Sequence, residues 1–253
     1  VTRRTFAIIP ARYGSTRFPA KVLAELEGKP IIQWVYEKAA AAKVDAVIVA
    51  TDDDRVVQAV TAFGGRAVMT SPRHPSGSDR ICEAANVAGV ADTDVIINLQ
   101  GDEPLIPSSV IDELIALMHR RPELEMATVA VPRPRSAIAD DPNRVKVVFG
   151  ADGRALYFSR SMIPYLREGG AETECYLHWG IYAYRADTLR RFVALPESRL
   201  EKCEKLEQLR ALDNGIGIQV LTSNLESIGI DTPADLELAR RKVREMLTAG
   251  RLS

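Results

Sequence analysis

The sequence predicts an α/β fold, a Rossmann-like, mostly parallel sheet sandwiched between helices. Two observations carry that expectation. Short, continuous apolar runs rich in β-branched residues alternate with stretches of helical spacing over the first hundred positions, and strands that read as unbroken apolar runs are those buried on both faces. The chain of 253 residues, 46% hydrophobic and 26% charged, is also long enough to bury roughly 70–75% of its unfolded surface without a metal or disulfide staple.

The elements follow in order. Phe6-Ala7-Ile8-Ile9-Pro10 reads as a buried strand that feeds a polar loop, Ala11 to Pro19. Pro30 then opens a helix over 31–40, with proline at the permitted first-turn position. Ala46 to Ala50 is a second strand, and Asp53 to Phe63 a helix stopped by Gly64-Gly65. A third strand at 67–69, a helix at 79–88 and a fourth strand at 94–99 complete the alternation. Ligands in such sheets bind beyond the carboxyl ends of the strands, so the loops after Ile9, Met69 and Leu99 are expected to meet at one site.

Beyond about residue 125 the texture becomes β-rich. Strands are predicted at 126–131, 145–149, 155–158 and 180–184, with an Asp152-Gly153 hairpin turn. Residues 200–212 read as one helix and 218–221 as extended chain, and Thr232-Pro233-Ala234-Asp235 opens a final helix with a cap, an N1 proline and an acidic first turn. With no linker, repeat or charge run to divide it, residues 1–253 read as a single domain carrying a β-rich insertion at about 125–200.

Composition excludes several function classes. Thirty-three Lys and Arg against 34 Asp and Glu leave a net charge of −1, so no basic surface for nucleic acid is expected. The longest apolar runs fall far short of the roughly 20 residues that span a bilayer, and no signal peptide is apparent, which reads as a cytoplasmic chain without membrane insertion. Cys82, Cys175 and Cys203 are odd in number and widely spaced. They read as reduced bystanders rather than a disulfide framework or a zinc site.

Three segments carry chemistry. The loop from Pro10 to Lys21 holds Arg12, Arg17 and Lys21 beside Gly14, Ser15 and Thr16. Guanidinium forks, an ammonium and freed backbone amides can surround a polyphosphate, and a solvated basic loop fits the same residues equally well. Asp102, in Gln100-Gly101-Asp102-Glu103-Pro104, follows the fourth strand, where a carboxylate can hold Mg²⁺ beside phosphate oxygens or cap the turn before the next helix. Asp231, in Gly229-Ile230-Asp231-Thr232-Pro233, can complete a metal site or favour the helix N-terminus electrostatically.

Taken together and in order, the first loop, His74-Pro75-Ser76-Gly77-Ser78-Asp79-Arg80, the Gln100 to Pro104 segment, Ala155 to Arg160, Leu206-Glu207-Gln208-Leu209-Arg210 and the Gly229 to Pro233 segment resemble the 3-deoxy-manno-octulosonate (Kdo) cytidylyltransferases, or CMP-Kdo synthetases. The motifs run from residue 6 to about 240. The resemblance implies a nucleotide-diphospho-sugar transferase type of fold, with the β-rich insertion serving dimerisation and sugar binding. It implies the reaction of CTP with Kdo to give CMP-Kdo and pyrophosphate for lipopolysaccharide assembly, dependent on Mg²⁺, in a homodimer.

By the same resemblance, Arg12, Ser15 and Lys21 hold the triphosphate, with Arg17 on the sugar side. Ser76, Gly77, Ser78, Arg80 and Gln100 belong to the nucleotide site, Ser78 standing where the family has Thr. Gln100, Arg160, His178, Glu207 and Gln208 belong to the sugar site, and Asp102 and Asp231 share the metal. Lys21, Arg12, Asp102 and Asp231 are the catalytic set. CMP-sialate synthetases share the chemistry, but their loop reads R-x-G-S-K-G-I-P against Arg12 to Pro19 here. A dinucleotide-binding oxidoreductase would require a G-x-G-x-x-G loop that is missing from the first turn. A nucleotide-sensing homologue without turnover is disfavoured by intact Lys21, Asp102 and Asp231.

Overall fold

A computed structural model describes residues 3–14, 18–138, 141–167, 174–225 and 227–248. In chain order the elements are β1 (Thr5–Ala11), a 3₁₀ turn (Lys21–Leu23), β2 (Glu25–Leu26), β3 (Lys29–Pro30), α1 (Ile31–Ala40), β4 (Ala46–Thr51), α2 (Asp54–Ala62), β5 (Ala67–Met69), α3 (Gly77–Val87), β6 (Val95–Asn98) and α4 (Ser108–Arg120). They continue with β7 (Met126–Pro134), the short turn α5 (Arg135–Ile138), β8 (Lys146–Phe149), β9 (Ala155–Ser159), β10 (Glu174–Arg185), α6 (Ala186–Ala194), α7 (Arg199–Glu204), α8 (Gln208–Asp213), β11 (Ile218–Thr222) and α9 (Pro233–Thr248). The chain forms two compact units, one of Val1–Val90, Ile96–Asp112 and Glu226–Ser253, the other of Ala91–Val95 and Glu113–Leu225.

In the first unit the strand order is β6-β1-β4-β5, and β1 with β4, and β4 with β5, are parallel. Ile8, Ile9, Ile48, Val49, Ile96 and Ile97 are fully buried, as continuous apolar strands require. Pro30 is the N-cap of α1 in an extended conformation, one position earlier than the sequence suggested, so its missing N–H is still harmless. Asp53 caps α2 through its side chain. Ser76 caps α3 by accepting from the Asp79 amide, so that helix starts two residues before the predicted Asp79.

A second core in this unit ties the C-terminus to the first helix. Leu236, Ala239 and Val243 of α9 pack with Ile230, Leu26, Ile31, Trp34 and Leu105, all buried. Trp34 satisfies its indole by donating to the Leu26 carbonyl at 2.7 Å. Burying eight such side chains at about 1.5–3 kcal/mol each for the larger ones outweighs any single polar contact nearby. It is this packing that brings residue 231 back to the start of the chain.

In the second unit β7 pairs parallel with β11 and antiparallel with β10, and β8 joins β9 and β10. The Asp152-Gly153 turn connects β8 to β9, with Gly153 at φ 78°, a left-handed conformation that glycine adopts without penalty. Strand β10 begins at Glu174, well before the predicted Gly180. The predicted helix over 200–212 is interrupted. Lys205 adopts a left-handed conformation, φ 52° and ψ 46°, between α7 and α8, because the side chain of Glu204 is held on β9 by Ser159 at 2.6 Å and the Arg160 amide at 2.9 Å.

Candidate active site

Four segments of the first unit meet where the sheet's carboxyl edge predicts. A cleft of about 320 Å³ is lined by Pro10 at the end of β1, Arg12, Gly14, Lys21 and Val22 after it, Gly77 at the start of α3, Gln100, Gly101 and Asp102 after β6, and Asp231 before α9. Gly101 permits the closest approach. A Cβ there would lie 2.9 Å from the Pro10 carbonyl oxygen, inside van der Waals contact, so only glycine lets the Asp102 loop sit against the end of β1. The Ile230 amide donates to the Asp102 carbonyl at 2.9 Å and fixes the segment before α9 to the loop after β6.

Lys21 is the centre of the cleft's charge. Its Nζ donates to Asp102 Oδ2 at 2.5 Å and to Asp231 Oδ1 at 3.1 Å, residues 81 and 210 positions away. The residue is buried, at 8% exposure. Burial pulls its pKa down, and the two carboxylates more than offset that, so it ends above its ordinary value and stays charged. Helix α9 does not use Asp231 as its cap. Asp235 Oδ2 accepts from the Thr232 amide at 2.8 Å, and the Asp235 amide donates back to Thr232 Oγ1 at 3.3 Å. That reciprocal cap leaves the Asp231 carboxylate to face Lys21.

Two carboxylates converging on one cationic centre form a donor set suited to Mg²⁺, which takes one or two carboxylates plus phosphate and water oxygens. The Lys21 ammonium stands in for a cation between them, and this observation is what fits the metal to these residues. No group of three or more His, Cys, Asp or Glu able to hold a metal occurs among the described residues, so substrate oxygens would complete the shell. Glu103, next in the chain, is pushed up to about 7, by burial first and then by the charge of Asp102. Its carboxylate accepts from Ser227 Oγ at 3.1 Å.

The remaining sequence candidates divide by unit. Arg12 is exposed and donates to the His74 carbonyl, while Ser15 and Arg17 lie outside the described residues. Ser76 spends its hydroxyl on Asp79 at 2.6 Å, and Ser78 is buried in the first turn of α3. Arg80 is fully buried and donates to Asp52 at 2.7 Å and Thr70 at 2.6 Å, so it braces the loop after β5 and does not line the cleft. The cap of α3 is Ser76, whose hydroxyl oxygen receives the Asp79 amide.

In the second unit Arg160 donates to the carbonyls of Glu204 at 2.6 Å, Pro142 at 2.9 Å and Lys205 at 3.3 Å. His178 on β10 is ringed by Phe158 and Tyr182, at centroid separations of 5.0 and 5.3 Å, and its desolvated ring is pulled down to about 3. Gln208 opens α8 and is buried. Glu207, beside it, pairs with Arg210 at 3.8 Å. Sequence reasoning passed over Tyr182, whose hydroxyl is buried without a hydrogen-bond partner among the described residues and whose pKa is pushed well above its ordinary value, by burial first. An aromatic inside a strand gives no sequence signal for an orphaned hydroxyl. Cys82 and Cys175 are buried and Cys203 exposed, and none of the three is in a disulfide among the described residues.

Among the described residues no helix is long and apolar enough to cross a membrane. The cytidylyltransferase family model matches residues 6–224. A 3-deoxy-manno-octulosonate cytidylyltransferase of Thermodesulfovibrio yellowstonii is 51% identical over 94% of this chain and 97% of its own. An 8-amino-3,8-dideoxy-manno-octulosonate cytidylyltransferase of Shewanella baltica is 50% identical over 93% and 97%. Among solved structures, a CMP:2-keto-3-deoxy-manno-octonic acid synthetase complexed with CTP superposes with a TM-score of 0.90 at 45% identity, covering 96% of this chain and 99% of that one. A 4-diphosphocytidyl-2C-methyl-D-erythritol synthase, at 18% identity and a TM-score of 0.66 over 96% of this chain and all of that one, shares the fold alone. The loop-built cleft, the α/β nucleotide-diphospho-sugar transferase fold and these identities across nearly the whole chain establish that it belongs to the 3-deoxy-manno-octulosonate cytidylyltransferases.

Proposed function

We propose that this chain joins CTP to Kdo, forming CMP-Kdo and releasing pyrophosphate, with Mg²⁺ as cofactor. The convergence of Lys21, Asp102 and Asp231 at the floor of the cleft is the observation that supports it most directly. Arg12 and Lys21 supply positive charge to the triphosphate and offset charge building on the pyrophosphate as it leaves. The anomeric hydroxyl oxygen attacks the α-phosphorus in line, the bond to the pyrophosphate oxygen breaks, and no covalent enzyme intermediate is required. When bound by Asp102 and Asp231, Mg²⁺ polarises the α-phosphoryl group and favours the ionised form of the attacking hydroxyl. Lys21 holds the two carboxylates together against their mutual repulsion, so the donor set is preorganised.

Arg160, His178, Glu207, Gln208, Arg17 and Gln100 are assigned to the acid sugar, with Arg12, Ser15, Lys21, Ser76, Gly77, Ser78 and Gln100 assigned to the nucleotide and Arg80 to the same site indirectly, as the brace of the loop after β5. A cytoplasmic homodimer, with its contact in the β-rich segment, completes the reading. Pyrophosphate release measured with CTP and Kdo, 8-amino-Kdo or sialate in parallel tests it. Turnover with Kdo is expected; turnover with sialate alone overturns the assignment, and a large preference for the 8-amino sugar moves the specificity to that branch of the family.

A further inference from the structure

Thr128 on β7 is fully buried, opposite the irregularity in β10 between Trp179 and Tyr182. Its hydroxyl oxygen lies 2.9 Å from Nε2 of His178, 2.8 Å from the Ile181 carbonyl oxygen and 3.3 Å from that of Trp179. A threonine hydroxyl has one proton to donate and two lone pairs to offer. Carbonyl oxygens only accept, so of these three neighbours the imidazole alone can bring a proton. The single Thr128 proton goes to the nearer Ile181 carbonyl, and the hydroxyl then accepts from an Nε2–H of His178. A neutral imidazole protonated on Nε2 carries its acceptor lone pair on Nδ1, and Nδ1 makes no hydrogen bond to any described residue. The ring cannot turn freely. Phe158 meets it edge to face at 79°, and Tyr182 packs against it at 49°.

We propose that Thr128 is a positioning residue that locks His178 in the Nε2–H tautomer, presenting Nδ1 as a fixed acceptor for a hydroxyl of the polyhydroxylated acid sugar. The inference rests on the reading of His178 as a sugar contact. The enclosure that keeps the ring neutral, with its pKa near 3, ensures that the acceptor persists at working pH. A mixture of tautomers would place a donor N–H against the sugar hydroxyl in part of the population and lose that hydrogen bond there. Binding of the sugar would weaken in proportion.

The test combines nitrogen-15 and carbon-13 NMR of the His178 ring in the full chain, without substrate, with steady-state kinetics. In the unmutated chain the ring is expected as a single Nε2–H tautomer. Thr128→Val keeps the volume and removes the hydroxyl; it is expected to populate both tautomers and to raise the KM for Kdo by about tenfold, the worth of one hydrogen bond, with the KM for CTP unchanged. Thr128→Ser should restore both. An Nδ1–H tautomer in the unmutated chain, or a single Nε2–H tautomer in Thr128→Val, overturns the locking role, and the first of these readouts needs no variant to fold. If His178→Ala leaves the KM for Kdo untouched, the sugar-site reading falls, while the tautomer assignment is decided separately by the spectra.

Discussion

At the scale of single residues, charge at the cleft is organised by one lysine. Asp102→Asn or Asp231→Asn removes one anion from the pair that faces Lys21 and from the proposed metal shell. Each is expected to cut turnover by several orders of magnitude, with cooperative unfolding retained, as checked by pyrophosphate release and urea denaturation; near-normal activity in both variants would refute the shared-metal model. Lys21, with its pKa raised, lends its full pairing contribution below the unfolded value of 10.5 and loses it only as pH rises through the folded value. His178 behaves in the opposite sense. Its folded pKa, about 3, lies below the unfolded 6.5, so the folded state binds fewer protons between those values and stability falls as pH drops below 6.5. The slope approaches about 1.4 kcal/mol per pH unit, or roughly 2 kcal/mol by pH 5. His178→Gln should remove that part of the acid sensitivity, measured as the difference in urea midpoint between pH 7 and pH 5.

At the scale of elements, backbone conformation decides where functional groups land. Gly101→Ala sets a methyl 2.9 Å from the backbone oxygen of Pro10, which no rotamer can relieve. It is expected to destabilise by about 1–3 kcal/mol and to lower turnover by displacing Asp102; an unchanged denaturation midpoint would contradict the close approach. Lys205, left-handed between α7 and α8, should tolerate Lys205→Gly with a gain of up to about 1 kcal/mol, read from the same measurement. Why that break was illegible is instructive. Residues 200–212 contain neither glycine nor proline, so periodicity alone extends one helix through them, and the interruption depends on the Glu204 carboxylate finding Ser159, 45 positions away. The early start of β10 was missed for a related reason. Glu174 to Trp179 includes Glu, Tyr and His, and only pairing with β7 and β8 identifies the run as a strand.

At the scale of the whole molecule, ligand linkage gives a direct check on function. CTP at 100 times its dissociation constant should stabilise the folded chain by roughly 2.7 kcal/mol, visible as a rise in the thermal midpoint, whereas NAD(P) should leave it unmoved. The alternation of apolar runs and helical spacing was enough to determine the parallel core of the first unit and to place its functional loops at the carboxyl ends of β1, β5 and β6, because strands buried on both faces carry unbroken apolar sequence. Six ordered motifs were enough to determine the family. The partner of Lys21 was beyond that reach. Viewed locally, Asp231 fits a helix start as well as a metal site, and the choice is made by the packing of Leu236, Ala239 and Val243 against Trp34 and Leu26, which returns it to a lysine 210 positions earlier. Local pattern encodes which element forms; which carboxylate meets which cation is set by burial of apolar surface between segments remote in sequence, and only the tertiary structure decided it.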